Sequence, residues 1–386
     1  DEVRRNPSSA GDVARMIATL PSVTTVNDQK NSLIVRGSSP NENLYVVDNI
    51  EVPAISHFPF QGTGGGAMSL INVDFLESLT FSPGGFPVSF GDCMSSVTRM
   101  QWREGSRDRF HTQLSLDMVG IGGVVEGPLF SQRASWMLSY RRSYADLLSK
   151  MMKSGVTPSW SDLQGKAAWD ISDRHRLVLI GVSGWDESDF MRKDALETGQ
   201  DYYGLSRDRS GTLGLNWFAL WGEHAYSDTS VSCSSIRYRQ DWDWTFDGSS
   251  AISNDSRDRV VHIRHQTTFT LPRGHRVRVG GQGQLLNGDD AYRSSASLDP
   301  LGSPLPEVNN TVAVAAQKVG FFADWSVPLP LHASLILGVR GDTFSMTKTW
   351  DWSPRISLNL PDSSRLVLDL YGGVYRQNLS LLLLTQ

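Results

Sequence analysis

Several things are scarce in this 386-residue sequence, and each shortage closes a class of function. It has two cysteines, Cys93 and Cys233, which match no metal-binding spacing, and two lone cysteines are more often packed or free than bridged. No run approaches the roughly 18–20 apolar residues that a spanning helix needs, and the closing LLLL is far too short. That excludes a helical membrane protein only. A spanning β-barrel alternates apolar and polar residues, so the slightly negative mean hydropathy leaves it open. Lys and Arg number 36 against 41 Asp and Glu, a net charge of −5, and no basic excess points to nucleic acid. The eight histidines form no His-x-x-x-His pair or Glu-flanked set, so no metal site is expected. No carboxylate pair suited to glycoside hydrolysis stands out, and nothing in the chain reads as catalytic. No secretory leader opens the sequence, whose first residues, DEVRRNPSSAGD, read like the interior of a longer protein.

What is present divides into two kinds of text. In residues 8–20, Val13, Met16, Ile17 and Leu20 follow the spacing of one apolar helix face, with Ser9 as a cap, Asp12 in the first turn and Pro21 as the stop. Two apolar strands follow, LIVRG and LYVVDN, joined by a Ser-Ser-Pro-Asn-Glu-Asn turn. Asp48-Asn49 then reads as a tight turn before Ile50-Glu51-Val52. Residues 57–68, HFPFQGTGGGAM, form a glycine-rich loop. Its Gly62-x-Gly64-x-x-Ala67 is only a loose match to a dinucleotide fingerprint, without the strand and helix that such a motif needs. Asn72, Val73, Phe75, Leu76 and Leu79 suggest a short helix-to-strand passage, and residues 86–102 read as further strand. This first part is a small α+β unit.

From Arg109 onward the pattern has period two. Phe110, Thr112, Leu114, Leu116 and Met118 alternate with polar residues, and the same alternation returns around Trp136, Leu213, Val319 and Leu335. A soluble sandwich could alternate in this way, but the connections favour a barrel. Short turns at 173–174, 222–224, 272–274, 328–330 and 361–362 alternate with long polar loops at about 144–159, 187–207, 243–255 and 286–310. Trp160, Trp169, Trp185, Trp242, Trp244, Trp350 and Trp352 fall near strand ends, as interfacial belts would, although a Trp-Asp-Trp loop also suits stacking on sugar rings. Asp186-Glu187-Ser188-Asp189 reads as a solvated acidic loop rather than a calcium site, and Arg141-Arg142 carries no specific signal.

The stretch LIVRGSSPNENLYVVDNIEV (33–52) resembles the plug signature of TonB-dependent outer-membrane receptors, an apolar-x-Arg-Gly step followed by apolar-x-x-Asp-Gly. Asn49 stands where that Gly is usual, a mild departure because Asn tolerates a left-handed turn. Residues 71–105 resemble the next plug segment, and Trp352-Ser353-Pro354-Arg355-Ile356-Ser357 resembles a mid-barrel strand start. Text such as YVVDNIEVPAISHF and VEGPLFSQRASWMLSYRRSY is closest in flavour to receptors of Bacteroidota-like bacteria. The resemblance implies a mostly β protein of the bacterial outer membrane: a transmembrane antiparallel β-barrel, partial in this chain, with an N-terminal α+β plug domain in its lumen. The plug is expected at 1–105, and the N-terminal part of the barrel at 106–386. About thirteen strands are counted there, whereas plugged barrels have roughly 22, and an odd count leaves an unpaired edge in lipid. The reading therefore expects further strands, and a TonB box, in a longer protein.

The function the resemblance implies is import of an external ligand with energy from the TonB-ExbB-ExbD complex, without cofactor or catalysis. An outer-membrane lipoprotein or other outer-membrane subunits, and outer-membrane lipid, are further expected partners. The alternative is a non-transporting, receptor-like barrel that serves as a structural subunit of a larger outer-membrane complex. His57, Phe58, Phe60 and Gln61 in the apex loop are the expected ligand contacts. Arg36, Asp48 and Glu77 are the expected charged groups that seat the plug as a latch.

Overall fold

A computed structural model of the chain describes residues 12–27, 30–116, 120–144, 156–298, 303–361, 367–380 and 384. The first element is α1, Val13–Ala18. Its cap is Asp12, whose extended backbone lets the carboxylate accept hydrogen bonds from the N–H groups of Ala14 (2.8 Å) and Arg15 (3.2 Å). The expected cap Ser9 lies outside the described residues. The helix is also shorter than expected, with Thr19 already its C-cap. Val13, Ala14 and Ile17 are fully buried, as the helical spacing requires.

β1 (Val23–Asn27) and β2 (Lys30–Val35) form an antiparallel pair. A 3₁₀ turn at Pro40–Glu42 leads to β3 (Asn43–Val47), which leaves β2 and joins a different sheet. β3 and β4 (Ile50–Glu51) are a hairpin closed by Asp48 (φ 45°) and Asn49 (φ 68°), the two left-handed residues that a type I′ turn demands. β5 (Ser56–His57) pairs with β6 (Met68–Ser69), which ties off the apex loop. After a 3₁₀ turn at Val73–Phe75 come β7 (Leu76–Ser82) and β8 (Ser96–Trp102), completing a four-stranded sheet in the order β4-β3-β8-β7. The expectation of strand throughout 86–102 fails for its first half, which is coil up to β8. Pro87 removes a ladder donor there, and Phe86, Val88 and Phe90 are instead buried as anchors.

The remaining long strands are β9 (His111–Leu116), β10 (Gly120–Leu129), β11 (Ser131–Ser143), β12 (Val156–Ser172) and β13 (His175–Phe190). Beyond the helix α2 (Arg192–Thr198) come β14 (Tyr202–Leu220), β15 (Ala225–Trp244), β16 (Ser250–Thr270) and β17 (Arg276–Ser294). A small pair, β18 (Ser297–Leu298) and β19 (Pro304–Leu305), decorates the next loop before β20 (Val308–Pro328), β21 (Ser334–Phe344), β22 (Trp350–Pro361) and β23 (Val367–Gly373). Among the described residues, thirteen of these strands, all except β18 and β19, form one antiparallel sheet in simple sequence order. β15 and β16 reach 20 and 21 residues. A tilted membrane strand needs only about 9–11. Strand text therefore continues well into the stretches expected as loops: the expected loop at 243–255 is strand on both sides of a turn at 245–249.

Side-chain parity divides the two faces of this wall. On β14, Asp208, Ser210, Thr212 and Gly214 are buried while Leu213 and Leu215 are 59% and 43% exposed. Among the described residues nothing covers this apolar outer face, as a lipid-facing surface requires. The main apolar core crosses the two parts of the chain. Val13, Ile17, Leu33, Val47, Ile50, Phe75 and Trp102 pack with Val124, Met137, Ile180 and Val182 of the wall.

Candidate functional site

The wall wraps the N-terminal unit. Every strand from β11 to β17, and β20 to β23, sends at least one inward side chain onto it. Around the wall these include Ser139 to Asn72, Asp186 to His57, Asn216 to Asn49, Arg340 to Val88 and Tyr371 to Arg36. All five of these contacts are hydrogen bonds.

At the end of the wall where the connections are long, β5 carries His57 between two wall carboxylates. Its Nδ1 lies 2.6 Å from Asp186 on β13 and its Nε2 lies 3.1 Å from Asp162 on β12; all three side chains are essentially inaccessible. Asp186 also accepts the N–H of Phe58 at 2.8 Å. Arg141 on β11 donates to Asp162 and, at 2.8 Å, to the carbonyl of Leu70, and Gln164 donates to the same carbonyl at 2.6 Å. The Trp160 ring lies 4.4 Å from the imidazole and screens the cluster. Burial by itself would drive the His57 pKa down. The hydrogen bonds to Asp162 and Asp186, with their charge, outweigh it and raise the value above 6.5, so the imidazolium that can donate to both carboxylates is favoured.

Two further anchor points lie deeper. Lys166 on β12 meets Asp48 at 2.9 Å and donates to the carbonyl of Trp102 at 2.5 Å. Burial raises the Asp48 pKa, and the nearby Lys166 only partly offsets it. On the far wall, Arg355 donates to the carbonyls of Phe86, Pro87 and Phe90 at 3.2, 2.8 and 2.8 Å. The fully buried Arg340 is held by Asp342 and reaches the carbonyl of Val88 at 3.2 Å. Lys318 binds Asp92 at 2.6 Å, and Arg264 stacks on Phe90, 4.8 Å from the ring centre.

The residues singled out from sequence sort differently here. Of the expected ligand contacts, His57 is fully buried between the wall carboxylates Asp162 and Asp186. Gln61 bridges Asp290 and Asn254, Phe58 is half-buried in a left-handed backbone (φ 52°), and Phe60 is exposed. Of the expected latch residues, Asp48 pairs with Lys166, and Arg36 hydrogen-bonds the Tyr371 hydroxyl and lies 5.7 Å from its ring centre. Glu77 is exposed on β7 and forms no ion pair with any described residue. Asp186 belongs to no acidic loop: it is a strand residue facing inward while Glu187 faces outward, so the two cannot converge on a cation. Trp160 is no interfacial anchor, being buried against His57, whereas Trp169 and Trp185 do face outward. The three successive glycines of the apex loop serve packing. A Cβ on Gly65 would meet Ser32 at 2.3 Å, and one on Gly66 would meet the carbonyl oxygen of His57 at 2.2 Å. No helix follows them to cradle a phosphate.

A sheet that is apolar outside and polar inside, filled by a separate α+β unit, defines a plugged outer-membrane β-barrel wall. The comparisons agree. Residues 1–94 match the family model described as TonB-dependent receptor plug domain, and residues 143–377 match that described as TonB dependent receptor-like, beta-barrel. The chain belongs to the TonB-dependent receptor family, whose members are receptors and transporters of the bacterial outer membrane rather than enzymes. Among solved structures it resembles the ferric enterobactin receptor PfeA of Pseudomonas aeruginosa (TM-score 0.69, 15% identity, 95% of this chain and 59% of that one). It also resembles the siderophore receptor PirA of Acinetobacter baumannii (0.69, 14%, 96% and 59%). A third is the outer membrane transporter YddB of Escherichia coli (0.64, 13%, 93% and 57%). The chain thus spans less than two thirds of the length of each of these proteins. Comparison with curated proteins found no significant match.

Proposed function

We infer that this chain is the plug and adjoining wall of a receptor that binds an external ligand above the apex loop and admits it to the periplasm when TonB-ExbB-ExbD pulls the plug. The plug is taken as residues 1–105 and the wall as 106–386. One observation supports the reading: beyond the apolar core shared with Val124, Met137, Ile180 and Val182, the plug is held around the wall by hydrogen bonds and ion pairs, through His57, Asp48, Asp92 and the 86–90 carbonyls. Such contacts add little net stability, because water offers the separated groups comparable partners, yet they fix one arrangement. Phe60 and Gln61 stay as the proposed ligand contacts, with His57 as the residue that positions their loop.

Ferric enterobactin is the first cargo to test, since PfeA, which shares the fold, is a receptor for it. Ile50 of the plug lies against Gly214 of the wall, where an added Cβ would sit 2.6 Å from the Ile50 Cδ1. A paired Ile50→Cys and Gly214→Cys variant should form a disulfide that stops uptake in cells and releases it on reduction, with all uptake lost in cells lacking TonB. Unimpaired uptake by the oxidised pair would overturn the plug mechanism. Absence of uptake by the unmodified receptor would overturn this cargo, and absence for every chelate, cobalamin, glycan and peptide tested would favour the structural-subunit role.

A further inference from the structure

Three wall strands carry arginines on the outward face in directly opposed register. Arg209 on β14 faces Arg237 on β15, which faces Arg257 on β16, and one step nearer the long loops Arg207 faces Arg239. Parity settles the direction. Asp208 and Tyr238, between them in sequence, are buried toward the plug, and all five arginines are exposed. Like charges directly opposite one another destabilise a sheet, so a row of this kind needs neutralising. Part of the need is met internally: Arg207 pairs with Glu187 at 2.8 Å, Arg237 with Asp255 at 2.7 Å, and Arg239 with Asp241 at 3.5 Å. Arg209 and Arg257 form no ion pair with any described residue, and Arg257 has only the hydroxyl of Ser235 at 3.3 Å. A cavity of about 460 Å³ opens between β11 and β15, with Arg207, Arg209, Arg237 and Arg239 on its lining.

The height of the row identifies its occupant. On β14, β15 and β16 the arginines stand two outward positions above Leu213, Cys233 and Val261, and one further step down lie Leu215, Val231 and Ile263. Four residues of strand span about 13 Å, so the guanidinium groups sit just beyond the edge of the apolar band. This edge is on the side of the long connections, the external side in outer-membrane barrels. We propose that the outward row Arg209–Arg237–Arg257 binds the phosphate groups of a phosphorylated lipid in the outer leaflet, with the lipid's acyl chains lying on the apolar residues below. A guanidinium holds a phosphate through two parallel N–H donors, which suits Arg better than Lys at each position. The adjoining apolar band is what favours a lipid over a free anion.

The test is binding of diphosphorylated lipid A to the receptor in a neutral detergent, read by native mass spectrometry. The same lipid A stripped of both phosphates and inorganic phosphate are the comparison probes. Diphosphorylated lipid A should bind at least tenfold more tightly than the stripped form, and millimolar inorganic phosphate should not displace it. An Arg209→Gln/Arg257→Gln receptor should lose at least tenfold in affinity, while Arg209→Lys/Arg257→Lys should retain part of it. Equal binding of stripped and phosphorylated lipid would overturn the proposal, and this comparison on the unaltered receptor stands even if the Gln variant folds poorly. Full displacement by inorganic phosphate would equally overturn it, leaving a simple anion site, as would unchanged affinity in a folded Gln variant.

Discussion

Replacing His57 by alanine tests the apex seat most directly. The change removes the group that joins Asp162 and Asp186, whose side chains are 0% and 1% exposed. Asp162 keeps Arg141 and Gln164, whereas Asp186 is left with the Phe58 N–H. Removing one partner of a buried pair costs roughly 3–5 kcal/mol, mostly the penalty of a charge left without its counterion. At about 1.4 kcal/mol per factor of ten, opening of the apex loop should rise ~100- to 4,000-fold. Hydrogen exchange of the amides of residues 54–70 reads this opening. The pH dependence has a definite sign. Because the folded-state pKa of His57 is raised above 6.5, its stabilisation is complete below that value and is lost as pH rises through the folded-state pKa. Asp162, Asp186 and Arg141 are the charged groups about the ring. The unaltered receptor should therefore lose apex protection toward alkaline pH, after correction for intrinsic exchange. His57→Ala should lack this dependence, and His57→Gln should be intermediate in protection. Protection within tenfold of the unaltered receptor in both variants would refute the reasoning, since the cluster would then contribute nothing to seating.

Arg355→Met should destabilise the plug by about 3 kcal/mol, because it deprives the carbonyls of Phe86, Pro87 and Phe90, the first and last of them in buried hydrogen bonds, of a shared donor; protease sensitivity of the 86–95 segment, with the rest of the plug as control, measures it. Asn49→Val places a β-branched residue at φ 68° and should cost about 1–2 kcal/mol, whereas Asn49→Gly should be nearly neutral, as thermal unfolding of the two would show. Cys93 is fully buried, and burial holds its thiol pKa far above the ordinary value, so maleimide should leave Cys93 unlabelled until the protein is denatured, as peptide mapping of the labelled protein would show.

Much of the architecture was legible in the sequence because it is local. The helix face Val13–Ile17, the Asp48-Asn49 turn and the helix-to-strand passage after Asn72 each depend on neighbours a few residues apart, and the structure has them. The count of about thirteen alternating strands after Arg109 agrees with the sheet, because period two is the signature of a wall with one face in lipid and one in a polar lumen. Strand lengths were read too short. Charged outward residues such as Glu187 and Arg207 look like loop text, yet they continue the same ladder.

The site was less legible. His57 and Asp186 are 129 residues apart, and Arg36 and Tyr371 are 335 apart. Nothing local marks such pairs. Arg141-Arg142 is a case in point: one arginine turns inward to Asp162 and Leu70 and its neighbour turns outward. The available signal was parity, since a charged residue on the buried side of an alternating strand, such as Asp162, Lys166 or Arg340, must meet a partner in the lumen.

By itself, the sequence determined that the chain has a small α+β unit followed by long alternating strands, and which residues of each strand share a face, because backbone geometry imposes the periods of 3.6 and 2 without reference to the rest of the fold. Which inward charge meets which plug residue was decided only in the tertiary structure. Those pairings depend on how far the plug is pushed into the wall and how it is turned there, and both follow from the main apolar core that Ile50, Phe75 and Trp102 share with Met137 and Ile180.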